Sequence, residues 1–289
     1  MTVSAAQEPW PPVGPTWLEV AGGSFPVWTA GTGPPVLLLH GVSADHTEWN
    51  EVARGLARDH LVLLPDLLGR GVSRPLDTSE FSLAAETERL LRLLVELGIE
   101  RPLVGGHSHG ASLAVALAGR VELAGLMLVS PVTPWTRRPA ILDLLRYRSA
   151  RRVVEPLLRT CRRPLTRYIL TRRVYGERPP HLGDAVRRYA TPYTDPARAR
   201  ALLRVFRDWR PADLDELAVP AGLTVRVMTG AADRRIRPAD VERWAEYVGA
   251  PCTVLDGVGH GVTEEAPGRV EAMLRDIGRI TAQGPRTEG

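Results

Sequence analysis

The chain has 289 residues, 44% hydrophobic and 24% charged, which is the balance of a soluble globular protein and excludes the disordered class. No apolar run approaches the roughly 18 residues of a membrane helix, and MTVSAAQEPWPPVGP at the N-terminus has neither the basic nor the apolar part of a secretory signal, so a cytoplasmic protein with a loose tail over residues 1–15 is expected. The net charge of +4 is unevenly spread: residues 135–210 hold 20 arginines against 6 acidic residues, net +14, and the remainder is −10. All 37 basic residues are arginine. Cys161 and Cys252 stand far apart without ligand-like neighbours, so neither a disulfide nor a metal site is expected. An acidic remainder and the lack of a binding motif argue against nucleic acid as a partner.

Short apolar runs alternate with longer amphipathic segments, the pattern of a mostly parallel sheet with helices on both faces. Val36–Leu39 and Leu61–Leu64 read as central strands, continuously apolar and bounded by turn residues. Phe81 to Leu97 reads as a helix with Leu83, Leu90, Leu94 and Leu97 on one stripe and Gly98 as its stop. Pro102–Gly105 reads as a buried strand, and Ala111–Ala118, small and apolar, as a helix packed closely on the sheet. Leu126–Val129, Leu223–Met228 and Cys252–Leu255 read as further strands, and residues 239–248 and 264–280 as the remaining helices. From residue 131 to 210 the rhythm breaks. Helical pieces separated by prolines (Pro139, Pro156, Pro164, Pro179, Pro180, Pro192, Pro196) argue for an inserted helical cap over a core made of residues 1–130 and 211–289.

Between the strand at 102–105 and the helix at 111–118 stands Gly106-His107-Ser108-His109-Gly110, a match to G-x-S-x-G. A sharp strand-to-helix turn exposes the serine hydroxyl as a nucleophile, and Gly106 and Gly110 give the room that a strained backbone needs. Serine is a weak nucleophile at neutral pH, so it requires a base and an acid to orient that base. Asp233, directly after the strand at 223–228, and His260, after the strand at 252–255, provide both in the order Ser, Asp, His.

On these residues the chain resembles the α/β-hydrolases, in particular the lid-bearing group that includes esterases, carbon-carbon bond hydrolases and cofactor-free haloperoxidases. The matching segments are Gly33–Gly41, Asp66–Ser73, the pentapeptide, Gly230–Asp233 with Pro238, and Gly259-His260 with Glu265 and Pro267. The resemblance implies an eight-stranded, mostly parallel sheet with an inserted helical cap. It implies Ser108 as nucleophile, His260 as general base and then acid, Asp233 as orienting carboxylate, and the backbone N–H groups of Val42 and His109 as oxyanion donors. It implies no cofactor.

His40 is read as support for its loop, His107 and His109 as pocket or core residues, and His46, His60 and His181 as solvated or packing residues. Asp66 and Ser73 are read as loop and turn residues and Trp49 as core. Relatives that open epoxides or cleave carbon-halogen bonds place a carboxylate at the elbow, where this chain has Ser108. His40-Gly41-Val42-Ser43 also lacks the glycine-rich loop of many lipases and the H-G-G-P-G of proline iminopeptidases.

Half of the aromatic residues lie in the cap, and Trp135, Tyr147, Tyr168 and Trp209 are taken as substrate-pocket candidates. The expected activity is hydrolysis of an ester, thioester or related acyl bond of a small apolar or aromatic substrate. The paired arginines of the cap, Arg162-Arg163 and Arg172-Arg173 among them, read first as a solvated face; the functional reading is an extended apolar or aromatic substrate carrying an acid group, or an acidic carrier protein docking on the cap. The alternatives are cyclisation, condensation or carbon-carbon cleavage on the same fold, and a ligand-binding module with an idle triad.

Overall fold

The computed structural model describes residues 10–11, 14–177, 182–211 and 219–282. In chain order these form β1 (Thr16–Val20), β2 (Gly23–Ala30), β3 (Pro35–Leu39), α1 (Asn50–Leu56), β4 (Leu61–Pro65), β5 (Arg74–Pro75), α2 (Leu83–Glu96), β6 (Leu103–His107), α3 (His109–Ala118) and β7 (Gly125–Val129). After these come α4 (Arg148–Ile169), α5 (Leu182–Ala190), α6 (Pro196–Asp208), β8 (Val225–Gly230), α7 (Pro238–Tyr247), β9 (Cys252–Leu255), α8 (Val262–Glu265) and α9 (Pro267–Ala282).

The main sheet runs β1-β2-β4-β3-β6-β7-β8-β9, with the two-residue β5 paired to β2 as a ninth strand. β1, β2 and β5 pair antiparallel, whereas the pairs from β4 to β9 are parallel. The eight-stranded, mostly parallel sheet read from the sequence is therefore present. β1 and β2 carry no signal strong enough to announce them; Gly22 and Gly23, at φ +94° and +140°, make the turn that joins them. β8 begins two residues later than expected, and the last helix is broken at Ala266, because Pro267 disfavours helical geometry in the residue before it.

Residues of the parallel strands alternate between two apolar layers, as a period of two requires. Leu37, Leu39, Leu63, Val104, Leu126 and Val227 pack with α2, α3 and α7; Val36, Leu38, Val62, Leu64, Met127 and Met228 pack with α1 and α9. With both faces covered, the strands read as unbroken apolar runs. Parallel pairing also brings the ends of β3, β6, β7, β8 and β9 to one edge of the sheet, where such folds hold their ligands.

Between β7 and β8 the described residues form helices and no strand. Pro139, Pro192 and Pro196 stand at helix starts as expected, but two other prolines do not divide the segment. Pro156 and Pro164 lie inside the single 22-residue helix α4, on exposed positions, where solvent can hydrate the carbonyls they leave unbonded. Pro179, Pro180 and His181 lie outside the described residues. Among the described residues, no helix is long and apolar enough to cross a membrane.

Candidate active site

Ser108 sits between β6 and α3 at φ +53° and ψ −115°, a left-handed conformation that a non-glycine residue adopts only where its surroundings impose it. The surroundings are tight. A Cβ at Gly106 would fall on the Gly110 carbonyl, and one at Gly110 on the Leu39 carbonyl, so both glycines are steric requirements of the elbow. The Ser108 N–H donates to the Val129 carbonyl at 2.9 Å, which ties the turn to β7.

His260 is held over the same edge of the sheet. Its Nδ1–H donates to Asp233 Oδ2 at 2.7 Å, and Asp233 Oδ1 accepts the N–H groups of Arg235 and Ile236 at 2.7 and 2.9 Å. Burial works against ionisation of Asp233, but the imidazole and these amide donors hold its carboxyl below the usual range. For His260, burial outweighs the attraction of Asp233 and pushes the imidazole pKa down. The ring is therefore neutral at pH 7, with Nδ1 committed to the carboxylate and Nε2 left as the basic nitrogen. Ser108 and His260 line one cavity of about 170 Å³.

Val42 also lines that cavity, and a Cβ on the neighbouring Gly41 would stand 3.6 Å from Ser108 Cβ. His109 is the first residue of α3, so its N–H has no partner within the helix. The side chains beneath these two positions form one network. Arg70, fully buried, donates from Nε to the Val42 carbonyl at 3.2 Å and pairs with Glu86, whose Oε2 accepts from His109 Nε2 at 2.7 Å. Burial disfavours the Glu86 carboxylate, yet Arg70 and His109 hold its pKa at about 2.

His40, His107 and His46 make contacts around the site. His40, its pKa lowered by burial to about 4, accepts the Leu67 N–H on Nε2 at 3.0 Å and donates from Nδ1 to the Gly41 carbonyl at 2.8 Å. His107 donates from Nε2 to the His260 carbonyl at 2.8 Å, with its Nδ1 3.0 Å from Glu48 Oε1. Burial lowers the His107 pKa, but Glu48 more than reverses this. His46 stacks on Trp28 and donates to Asp66, whose other oxygen accepts the Val72 N–H; Ser73 closes a turn on the Arg70 carbonyl.

None of the four predicted pocket aromatics lines the cavity. Tyr147 and Tyr168 are exposed, and Trp135 and Trp209 pack against the apolar layer of α2, α3 and α7, Trp135 beneath the Arg243 guanidinium. The aromatic wall is instead Tyr189, Tyr193 and Phe206, joined by aliphatic residues of α4 such as Leu158 and Ile169. Tyr189 had a legible signal, since it continues the apolar face of Ala185 and Val186 on α5. Two arginines also line the cavity, Arg162 from the arginine-rich segment and Arg235, which was not singled out.

A further unforeseen contact joins the inserted segment to the histidine loop. The His260 N–H donates to the Val174 carbonyl at 2.6 Å, and Glu265 accepts the N–H groups of Gly176 and Gly259 at 2.7 and 3.0 Å. A Cβ at Gly176 would fall on the Gly257 carbonyl and one at Gly259 on the Val174 carbonyl. Two glycines thus permit the backbones to approach.

Lipase 1 of Psychrobacter immobilis is 34% identical over 107 residues, 36% of this chain and 33% of that one. An uncharacterized protein of Mycobacterium bovis is 42% identical over 90 residues, 31% of this chain and 26% of that one. The chain thus aligns with only about a third or less of the length of these relatives. Among solved structures, a thermophilic esterase from Thermogutta terrifontis matches with TM-score 0.75 at 24% identity, covering 92% of this chain and 99% of that one, which shows the fold. An epoxide hydrolase candidate from Pseudomonas aeruginosa matches with TM-score 0.77 at 26% identity over 95% and 98% of the two chains. The family model described as "Alpha/beta hydrolase family" matches residues 36–273, most of the sequence, and the chain belongs to that family.

Proposed function

We propose that the protein is a serine hydrolase that cleaves an ester, thioester or related acyl bond of a small, largely apolar substrate through an acyl-serine intermediate. The observation that carries this reading is His260, oriented by Asp233 at 2.7 Å, on the wall of the cavity that also holds Ser108. Nε2 of His260 takes the Ser108 hydroxyl proton as Oγ attacks the carbonyl carbon. The Val42 and His109 N–H groups receive the developing oxyanion, a contribution that can reach about 3 kcal/mol per donor. His260 then protonates the leaving group, and water, activated by the same nitrogen, releases the acid. In this reading residues 131–210 are the cap and residues 1–130 with 211–289 the catalytic core.

Ser108→Ala, assayed on activated esters and with a fluorophosphonate probe, is the test. Loss of both turnover and covalent labelling supports the reading, and unchanged turnover overturns it.

The outer side of α4 favours one extension. Arg152, Arg163 and Arg167 are exposed beside exposed Val153, Leu157 and Tyr168, a surface suited to an acidic carrier protein that delivers the acyl group as a thioester. Reversing the charge at Arg163 and Arg167 should then raise KM for carrier-bound substrates.

A further inference from the structure

The charges that face the cavity are not balanced alike. Glu48 is satisfied within the wall, by the Gly41 N–H at 2.9 Å and by His107 at 3.0 Å. Glu264 accepts from the Tyr175 hydroxyl at 2.7 Å and from Arg188 at 2.8 Å. Tyr189 and Tyr193 are kept neutral, their phenols pushed up by burial.

The cavity's two arginines are placed differently. Among the described residues, Arg162 donates only to the Arg159 carbonyl, and neither Arg162 nor Arg235 meets a carboxylate within ion-pair distance. Arg235 is two residues beyond Asp233, so the backbone that donates to Asp233 also fixes where this guanidinium starts. Its side chain is solvent-exposed and open to the cavity; Asp233 offsets part of its charge and Arg173 adds positive charge nearby. Much of the remaining wall is apolar, from Leu158, Leu165, Ile169, Val174, Leu202 and Phe206.

A guanidinium that meets no carboxylate at ion-pair distance is available to bind one, and a carboxylate meets its planar fork in bidentate fashion. We infer that the substrate is an apolar acyl ester or thioester that ends in a carboxylate, and that Arg235, with Arg162, binds this carboxylate and sets specificity. This rests on the serine-hydrolase reading of the same site. A monoanion fits better than a dianion, because the Glu48 carboxylate faces the same space. Both arginines line the cavity that holds Ser108, so their role is to hold the carboxylate of the acyl group while Ser108 attacks its carbonyl.

The test compares mono-p-nitrophenyl esters of succinic, adipic and sebacic acid with p-nitrophenyl esters of butyric, hexanoic and decanoic acid on the full chain. Wild type should favour the acid-bearing ester of at least one pair in kcat/KM. Arg235→Gln should lower that preference ratio by about tenfold or more, mainly through KM, as expected for loss of a charge-assisted hydrogen bond to a partly desolvated anion. Arg235→Lys should restore part of it, and Arg162→Gln should lower it further. A wild-type preference for the neutral ester in every pair overturns the inference, as does a ratio in Arg235→Gln within about twofold of wild type. So does stronger competitive inhibition by decyl phosphate than by sebacate, which would assign the site to a phosphate. In each of these outcomes, Ser108 labelling by fluorophosphonate would leave the serine-hydrolase reading standing; absence of labelling is what defeats that reading.

Discussion

Nδ1 of His260 lies 2.7 Å from Oδ2 of Asp233, although the two residues are 27 positions apart and follow different strands. This contact fixes the ring's tautomer, because a proton on Nδ1 leaves the lone pair on Nε2. In Asp233→Asn an amide in this place can donate to Nδ1 and favour the wrong tautomer. The expected result is a fall in kcat of about 10⁴-fold with little change in folding, measured by steady-state hydrolysis of an activated ester alongside circular dichroism.

The pH profile follows from the direction of the His260 shift. Burial lowers its pKa, and the base is active only when neutral, so the acidic limb of kcat/KM should lie below the ordinary histidine value of about 6.5. The positive charge of His107 also lowers it. His107→Gln should therefore move the limb upward, toward higher pH, as read from kcat/KM across the acid range.

Glu86 should dominate a stability effect in acid. Its folded pKa of about 2 is depressed from about 4.5, so its contribution is complete above the higher value and is lost as pH falls through the lower one. Denaturant unfolding should show wild type losing stability across that window, and Glu86→Gln a shallower loss. At neutral pH the same variant leaves Arg70 buried without its counterion, and should cost about 3–5 kcal/mol. Because Arg70 also holds the Val42 carbonyl, kcat should fall beyond what lost stability explains.

Gly176→Ala tests the clamp between the inserted segment and the histidine loop. The added methyl would meet the Gly257 carbonyl and push Val174 from the His260 N–H. Activity should fall more than tenfold if a displacement on the order of 1 Å of His260 carries its usual penalty, with the melting transition of the sheet core preserved. Equal losses in both would place the effect in folding.

Much of the sheet is legible in the sequence because its central strands are buried on both faces, so Val36–Leu39, Leu61–Leu64 and Leu126–Val129 appear as plain apolar runs. β1 and β2 are less evident, since they lie at one side of the sheet with polar residues interspersed. Positions of Ser108, Asp233 and His260 at strand ends follow from the same local signals. In the inserted segment, composition misleads: an aromatic residue packs an apolar layer as readily as it lines a cavity, and Trp135 does the former while Phe206 does the latter.

The sequence alone determined the class of fold and pointed to Ser108, Asp233 and His260 as candidates for nucleophilic chemistry, because strand runs, the G-x-S-x-G turn and their order are local patterns fixed by backbone sterics and burial. Tertiary structure decided everything that depends on separation in space. Only packing shows that Arg70 and Glu86 tie Val42 to His109, that Val174 holds His260, and that Arg162 and Arg235 reach the cavity while Tyr147 and Tyr168 face solvent. Those relations join residues far apart in the chain, and no local periodicity encodes which helix face meets which loop.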